Sequence, residues 1–90
     1  MQVIKNEIAL DNIPNPFSDN TAISYATGKE YRNAELRVTD VLGRIIKTYS
    51  LRSMQGQVDF DGINYKGGLY YSILIIDGVI AKTKTILIER

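Results

Sequence analysis

Short runs of alternating apolar and polar residues, each closed by turn-forming residues, constrain this chain more than any other feature. Alternation with a period of two is typical of a strand buried on one face, whereas an amphipathic helix repeats every three to four residues. No stretch of the sequence shows the helical repeat. The pattern therefore predicts an all-β fold whose seven strands suit an antiparallel sandwich. The strands are expected at about Glu7–Ile13, Thr21–Ala26, Glu35–Val41, Arg44–Ser50, Gln57–Asp61, Leu69–Ile76 and Val79–Ile88.

The turn residues of the first predicted hairpin predict which residues pair across its two strands. Asp40 and Gly43 stand at the first and fourth positions of a segment that fits a type I turn followed by a left-handed residue. The expected cross-strand pairs are Asp40 with Arg44, Val38 with Ile46, and Leu36 with Thr48. The face expected to be buried carries Ala34, Leu36, Val38 and Ile46, and the opposite face carries Glu35, Arg37, Lys47 and Tyr49.

The terminal hairpin has a sharper signal, because Asp77-Gly78 stands between two alternating apolar runs. The expected pairs are Ile76 with Val79, Leu74 with Ala81, Ser72 with Thr83 and Tyr70 with Thr85. One face is uncharged and can be buried: Tyr70, Ser72, Leu74, Ile76, Val79, Ala81, Thr83, Thr85 and Leu87. The other mixes apolar residues with two lysines: Leu69, Tyr71, Ile73, Ile75, Ile80, Lys82, Lys84, Ile86 and Ile88. Such a mixed face predicts a binding surface, and coverage by other strands with the lysines at the margin is the equally weighted alternative.

The composition removes most catalytic chemistries. The 90-residue chain has neither cysteine nor histidine, so it has no disulfide, no thiolate metal site and no histidine base. Its lysines and arginines are scattered and its net charge is +1, which argues against a nucleic-acid partner. No apolar run reaches the roughly 18–20 residues that span a bilayer. We therefore expect residues 1–90 to form one domain that is not an enzyme, with Met1 as the start of an expressed fragment.

Three further features have both a functional and a structural interpretation. Asp59 and Asp61 point the same way on a strand and can bind a cation, but Asp61-Gly62 also reads as a turn, which we favour. Gly67-Gly68 precedes a strand and lacks the helix amino terminus of a phosphate site. No cofactor is expected. Stacking on sugars or bases is the less favoured role, compared with packing, for six scattered tyrosines: Tyr25, Tyr31, Tyr49, Tyr65, Tyr70 and Tyr71.

Five motifs follow one another along the chain with ordinary spacing. They are Pro14-Asn15-Pro16-Phe17, Thr21 to Tyr25, Leu36 to Arg44, Gly68 to Ile73, and Lys82-Thr83-Lys84 with the apolar strand after it. Together they cover about residues 13–90 and resemble the C-terminal sorting domain of type IX (Por) secretion cargo. The resemblance implies a seven-stranded immunoglobulin-like sandwich that directs a fused N-terminal passenger from the periplasm across the outer membrane. It also implies removal of the domain by a sortase-like peptidase and attachment of the passenger to the cell surface.

The resemblance also suggests roles for individual residues. Structural roles, with Phe17 closing one end of the core, are expected for Pro14, Asn15, Pro16, Phe17, Asp40, Gly43, Gly68 and Tyr70. Recognition by the translocon is expected on the lysine-bearing face, at Tyr71, Ile73, Lys82, Lys84, Ile86, Ile88 and Arg90. A homodimer through exposed strands is compatible with this function. The alternative function is a fibronectin-like or immunoglobulin-like accessory module that binds carbohydrate or spaces other domains.

Overall fold

All seven predicted strands are confirmed, with boundaries within two residues of those expected. The computed structural model describes residues 7–90, so the first six residues of the predicted domain, and the expectation about Met1, lie outside the described residues. The strands are β1 (Ala9–Ile13), β2 (Asn20–Ala26), β3 (Ala34–Asp40), β4 (Ile45–Ser50), β5 (Gln55–Asp61), β6 (Gly68–Ile76) and β7 (Val79–Ile88). Over residues 7–90, no helix long and apolar enough to cross a membrane is present.

The strands form two antiparallel sheets, as the predicted sandwich requires. One sheet has three strands in the order β1-β2-β5, and the other has four in the order β4-β3-β6-β7. This architecture is consistent with an immunoglobulin-like sandwich. Alternate residues of each strand fill the space between the sheets, so that Ile23, Leu36, Val38 and Leu74 are all 0% exposed. The predicted alternation therefore produces one continuous apolar core.

Aromatic residues fill one end of this core. Phe17 is 4% exposed and meets the ring of Phe60 edge to face, with 6.0 Å between ring centroids. Phe60 stacks on Tyr65 at 5.7 Å, and Tyr65 lies 6.3 Å from Tyr70. Aromatic pairs at such distances each contribute about 0.5–1.5 kcal/mol beyond their buried area. This row of rings joins the Pro-Asn-Pro-Phe segment to the start of β6.

The turn of the first hairpin forms around Asp40, but the expected register holds only next to the turn. The Asp40 carboxylate accepts hydrogen bonds from the backbone N–H groups of Leu42 and Arg44, each at 2.9 Å. Gly43 has φ of +85°, the left-handed conformation that the turn requires. Thr39 pairs with Ile45, as an Asp40 to Arg44 register demands.

Beyond this point the predicted pairs of the first hairpin are wrong. Val38 pairs with Lys47, and Leu36 pairs with Tyr49, because Ile46 is the extra residue of a β-bulge. Tyr49, which we expected on the outer face, consequently lies on the same face as Leu36 and packs against the core. A single inserted residue thus moves the rest of β4 by one position.

The turn of the terminal hairpin agrees with its sequence signal. Asp77 and Gly78 have φ of +50° and +79°, and positive φ at both central residues is required by a type I′ turn. The Asp77 carboxylate accepts hydrogen bonds from the backbone N–H groups of Arg32 at 2.8 Å and Asn33 at 2.9 Å. The N–H of Asn33, followed by that of Arg32, holds the pKa of Asp77 below its ordinary value. These contacts fix the turn against the segment that leads into β3.

Candidate docking surface

The predicted recognition surface depended on the register of the terminal hairpin, which is wrong from Leu74 onwards. Next to the turn, Ile76 pairs with Val79 as predicted, but Leu74 pairs with Lys82 and not with Ala81. Ala81 is the extra residue of a β-bulge. Because a shift of one residue exchanges the two faces of a strand, every later residue of β7 lies on the face opposite to the predicted one.

The bulge divides the seven residues that were expected to form one recognition surface. Tyr71 and Ile73 remain on the outer face of β6, whereas the β7 residues on the inner side are Lys82, Lys84, Ile86 and Ile88. Ile86 and Ile88 are 0% and 1% exposed, so a partner cannot reach them in the folded domain. The expected common face of these residues is therefore corrected. Recognition by those that stay accessible remains a prediction.

The two lysines lie at the margin between the sheets. The Lys84 ammonium is 3.3 Å from the Asp11 carboxylate on β1, the neighbouring edge of the three-stranded sheet. The N–H of Asn12, followed by Lys84, holds the pKa of Asp11 below its ordinary value. Exposed ion pairs contribute little stability. Inward-pointing lysines and a bulge are features that keep an edge strand from pairing with another chain.

Asn15 covers the other half of the β7 edge with its side chain. Its amide nitrogen donates to the carbonyl oxygen of Thr85 at 3.1 Å, and its amide oxygen accepts from the N–H of Leu87 at 3.0 Å. The side-chain amide therefore acts as a substitute for a peptide group of a neighbouring strand. Because Pro14 and Pro16 on either side have no N–H to donate, the side chain supplies the donor that these positions lack.

Phe17 continues this pairing with its own backbone. Its N–H donates to the carbonyl oxygen of Leu87 at 3.0 Å, and its carbonyl oxygen accepts from the N–H of Glu89 at 2.7 Å. This parallel bridge anchors the backbone beside the end of β7 while the Phe17 ring enters the core. The Pro-Asn-Pro-Phe segment thus closes both an edge and one end of the sandwich.

Two tyrosine hydroxyls donate to backbone carbonyl oxygens on the opposite side of the sandwich, and that of Tyr49 connects the two sheets. Tyr49 on β4 donates to the carbonyl oxygen of Asp59 on β5 at 2.8 Å. Tyr65 donates to the carbonyl oxygen of Ile46 on β4 at 3.4 Å. Burial raises the pKa of Tyr49 to about 12, so its hydroxyl stays protonated and able to donate over the neutral range. These hydroxyls occupy backbone acceptors that strand addition would otherwise use.

Arg90 and the start of β6 hold the loop that precedes this strand. The Arg90 guanidinium donates to the carbonyl oxygen of Tyr65 at 2.9 Å and also to that of Gly62. Tyr70 is 8% exposed, and its hydroxyl donates to the carbonyl oxygen of Lys66 at 2.7 Å. Gly68, at a φ of +138°, has a backbone conformation that favours glycine. The Arg90 side chain therefore contacts the chain's own loop, and its recognition by the translocon remains a prediction.

The outer face of the four-stranded sheet carries a row of apolar side chains, several of which are well exposed. The cross-strand partners Leu69 and Leu87 are 42% and 40% exposed, and Ile80 is 63% exposed. Tyr71 and Ile73 lie between them, and neither packs against the core. We call this the apolar outer face; its members on β6 and β7 are Leu69, Tyr71, Ile73, Ile80, Thr83, Thr85 and Leu87, together with Ile75, which is only 7% exposed.

The centre of this face has no net charge. Its two charged residues, Glu35 and Arg37 on β3, pair with each other through two hydrogen bonds of 2.8 and 3.3 Å. The carboxylate of Glu35 raises the pKa of Arg37, whose guanidinium is charged in any case, so the two charges cancel within the pair. Arg32 and Arg52 border a depression with Ile75 at one end of the face. An uncharged centre with charged residues at the margin is typical of protein interfaces.

The outer face of the three-stranded sheet has the opposite character. All but one of its residues are small or polar: Ala9, Asp11, Asn20, Ala22, Ser24, Ala26, Gln55, Gln57, Asp59 and Asp61. Ile13 is its only large apolar side chain among the described residues. Such a surface is well hydrated and needs no partner. The contrast between the two faces therefore locates the candidate docking surface on the four-stranded sheet.

The acidic pair at the end of β5 forms a turn. Asp61 accepts a hydrogen bond from the N–H of Ile63 at 3.1 Å, and both Asp59 and Asp61 are exposed. No group of three or more potential metal-ligating side chains occurs within residues 7–90. The turn interpretation of Asp61-Gly62 is supported by this hydrogen bond.

Comparison with known protein families gives a match that covers most of the chain. A family model described as a secretion system C-terminal sorting domain matches residues 13–89. The chain belongs to this family. The match identifies a type IX secretion signal, which implies export across the outer membrane, fusion to an N-terminal passenger and interaction with the type IX machinery. Sorting domains are not an enzyme family, and the search of curated proteins found no match.

Part of the sorting domain's apolar outer face was missed from the sequence. Thr83, Thr85 and Leu87 were expected inside because strict alternation was continued from the Asp77-Gly78 turn. No glycine or proline marks the bulge at Ala81. One signal of the bulge was present in the sequence. Strict alternation places Lys82, Lys84, Ile86 and Ile88 on one face, and this mixture can be explained either by an exposed mixed face or by a bulge.

Proposed function

We propose that residues 1–90 act as one C-terminal sorting domain of a larger secreted protein, and that a sortase-like peptidase removes the domain after transit. The passenger is then attached to the cell surface. The observation that carries the proposal is the family match over residues 13–89. The alternative of a carbohydrate-binding or spacer module is not supported by an aromatic platform, because each of the six tyrosines is buried or half-buried.

The structure supports recognition of the folded domain, and not of an unfolded segment, by the secretion machinery. Asn15 and the backbone of Phe17 occupy the β7 edge, and Tyr65 bonds one acceptor of the β4 edge, the carbonyl oxygen of Ile46. Addition of a strand from a partner is therefore disfavoured at the β7 edge and loses one acceptor at the β4 edge. The same contacts disfavour a homodimer formed by pairing these edges. Recognition through Lys82 and Lys84 at the margin remains part of the proposal.

A reporter fusion tests this function directly. Residues 1–90 are joined to the C-terminal end of a fluorescent protein that carries an inner-membrane signal peptide. The fusion is expressed in a type IX-competent bacterium and in matched strains that lack the translocon or the peptidase. We expect reporter at the surface only in the competent strain, shorter by the 10.1 kDa of the domain. The strain without peptidase should keep the full-length fusion.

Two results would contradict the proposal. Retention of the reporter in the periplasm of the competent strain, with a folded domain attached, would exclude an export signal. Export of a full-length fusion that is never shortened in the competent strain would exclude removal by the peptidase and leave only the sorting role.

A further inference from the structure

We infer that the apolar outer face docks onto an apolar, uncharged protein surface of the secretion machinery. This inference rests on the proposed function and adds where the signal is read. Leu69 and Ile80 are 42% and 63% exposed at its two ends, and Tyr71 and Ile73 lie between them without core contacts. Among residues 7–90, the other outer face of the domain has no such cluster. The outer face of the three-stranded sheet is therefore suited to contact with water, and that of the four-stranded sheet to contact with a partner.

The charge of the apolar outer face favours an uncharged protein surface over an anionic lipid as its partner. Glu35 and Arg37 neutralise each other at 2.8 Å, and the remaining central side chains on β6 and β7 are aliphatic, aromatic or hydroxyl-bearing. An anionic lipid or lipopolysaccharide surface is recognised by clustered basic side chains. Such a cluster is absent from the centre of this face. An uncharged protein surface matches it without leaving a buried charge unpaired.

The size of the face separates a transient partner from a second copy. With strands of six, seven, nine and ten residues, a spacing of about 4.8 Å and a rise of roughly 3.3 Å per residue, the four strands give a flat area of about 500 Å². Stable interfaces bury about 800 Å² on each partner, and smaller ones are weak and transient. A signal that is read and then released needs a weak contact. A permanent dimer formed by two such faces needs a larger buried area than this face offers.

The test places charge on this face without disturbing the core. The double variant Leu69→Glu and Ile80→Glu changes two exposed side chains on different strands. The matched control, Gln55→Glu and Gln57→Glu, makes the same change in charge on the exposed outer face of the three-stranded sheet. Each is fused to the reporter described above, so the native passenger is not present to cover the face. Thermal unfolding of the purified domains establishes that each variant is folded.

We expect the Glu variant on the apolar outer face to reduce translocon-dependent export at least tenfold, while the control is exported like the wild type. A second variant, Leu69→Thr and Ile80→Thr, keeps residues with high strand propensity and should reduce export at least threefold. Folded Glu and Thr variants that are both exported within twofold of wild type would overturn the docking face alone. A wild-type fusion held in the periplasm would overturn the proposed function and, with it, this inference.

Two binding measurements decide between occupants. In analytical ultracentrifugation the wild-type domain should be a monomer at micromolar concentration. A dimer that the Glu variant dissociates would assign the face to a second copy and overturn the inference. The wild type should also not bind vesicles of anionic phospholipid. Binding that the Glu variant abolishes would assign the face to lipid, which overturns the inference in the same way.

Discussion

Replacing Asn15 by aspartate tests whether one side-chain amide completes the edge of the sandwich. The amide nitrogen donates to Thr85 at 3.1 Å, and the amide oxygen accepts from Leu87 at 3.0 Å. Asn15→Asp keeps the acceptor but replaces the donor with a second oxygen that faces the Thr85 carbonyl. A lost hydrogen bond costs about 0.5–1.5 kcal/mol, and the opposed oxygens add to this. We expect a loss of about 1–2 kcal/mol at pH 7.

The expected effect is large enough to measure and depends on pH. For a domain of this size, 1 kcal/mol changes Tm by about 4–8 °C, so Tm should fall by about 4–16 °C. Protonation restores a donor to the introduced carboxyl, so its folded-state pKa should lie above the unfolded value of about 3.9. Such a group destabilises the fold above its folded-state pKa, and the penalty disappears as pH falls below the unfolded pKa.

Thermal unfolding followed by circular dichroism at pH 7 and pH 3 measures both effects. Asn15→Ala is the matched control, because it loses every side-chain hydrogen bond of Asn15, including the one donated to the Asn12 amide oxygen at 3.4 Å, and has no group that titrates at this site. Its deficit relative to the wild type should be the same at the two pH values. A Tm of Asn15→Asp equal to that of the wild type at pH 7, or a deficit that persists unchanged at pH 3, would refute the assigned hydrogen bonds.

Three further perturbations test individual contacts of the fold. Gly62→Ala places a Cβ 2.9 Å from the Phe17 ring and should cost about 1–3 kcal/mol in urea unfolding, whereas unchanged stability would contradict this packing. Burial raises the pKa of Tyr49 to about 12, above the unfolded value of about 10, so its hydroxyl stabilises the fold below pH 10. The wild type should lose more Tm than Tyr49→Phe between pH 10 and pH 12, and equal losses would exclude this contribution. Hydrogen bonds from the backbone N–H groups of Asn33 and Arg32 lower the pKa of Asp77. The contribution of Asp77 to stability is therefore present above about pH 4 and is lost as the pH falls below it. Asp77→Asn should lose less Tm than the wild type between pH 5 and pH 2, and parallel curves would contradict the assignment.

Local features of the sequence determined the strands and the turns. Each strand alternates with a period of two, and this period depends only on backbone geometry. Asp77-Gly78 and Asp40 with Gly43 specify turns through conformations that these residue types adopt at low cost. The family was also readable, because its motifs are short segments in a fixed order. These signals act over a few residues and do not need the rest of the fold.

The tertiary structure decided which face of β7 is buried. Alternation continued from the turn would place Thr83 and Thr85 inside, but the bulge at Ala81 places Ile86 and Ile88 there instead. No residue near Ala81 requires a bulge. The physical reason is non-local: two buried isoleucines recover far more apolar surface than two threonines, and they do so only once both sheets have formed a core. The docking surface follows from that choice, so the sequence predicted the strand but only the folded sandwich determined which side a partner can reach.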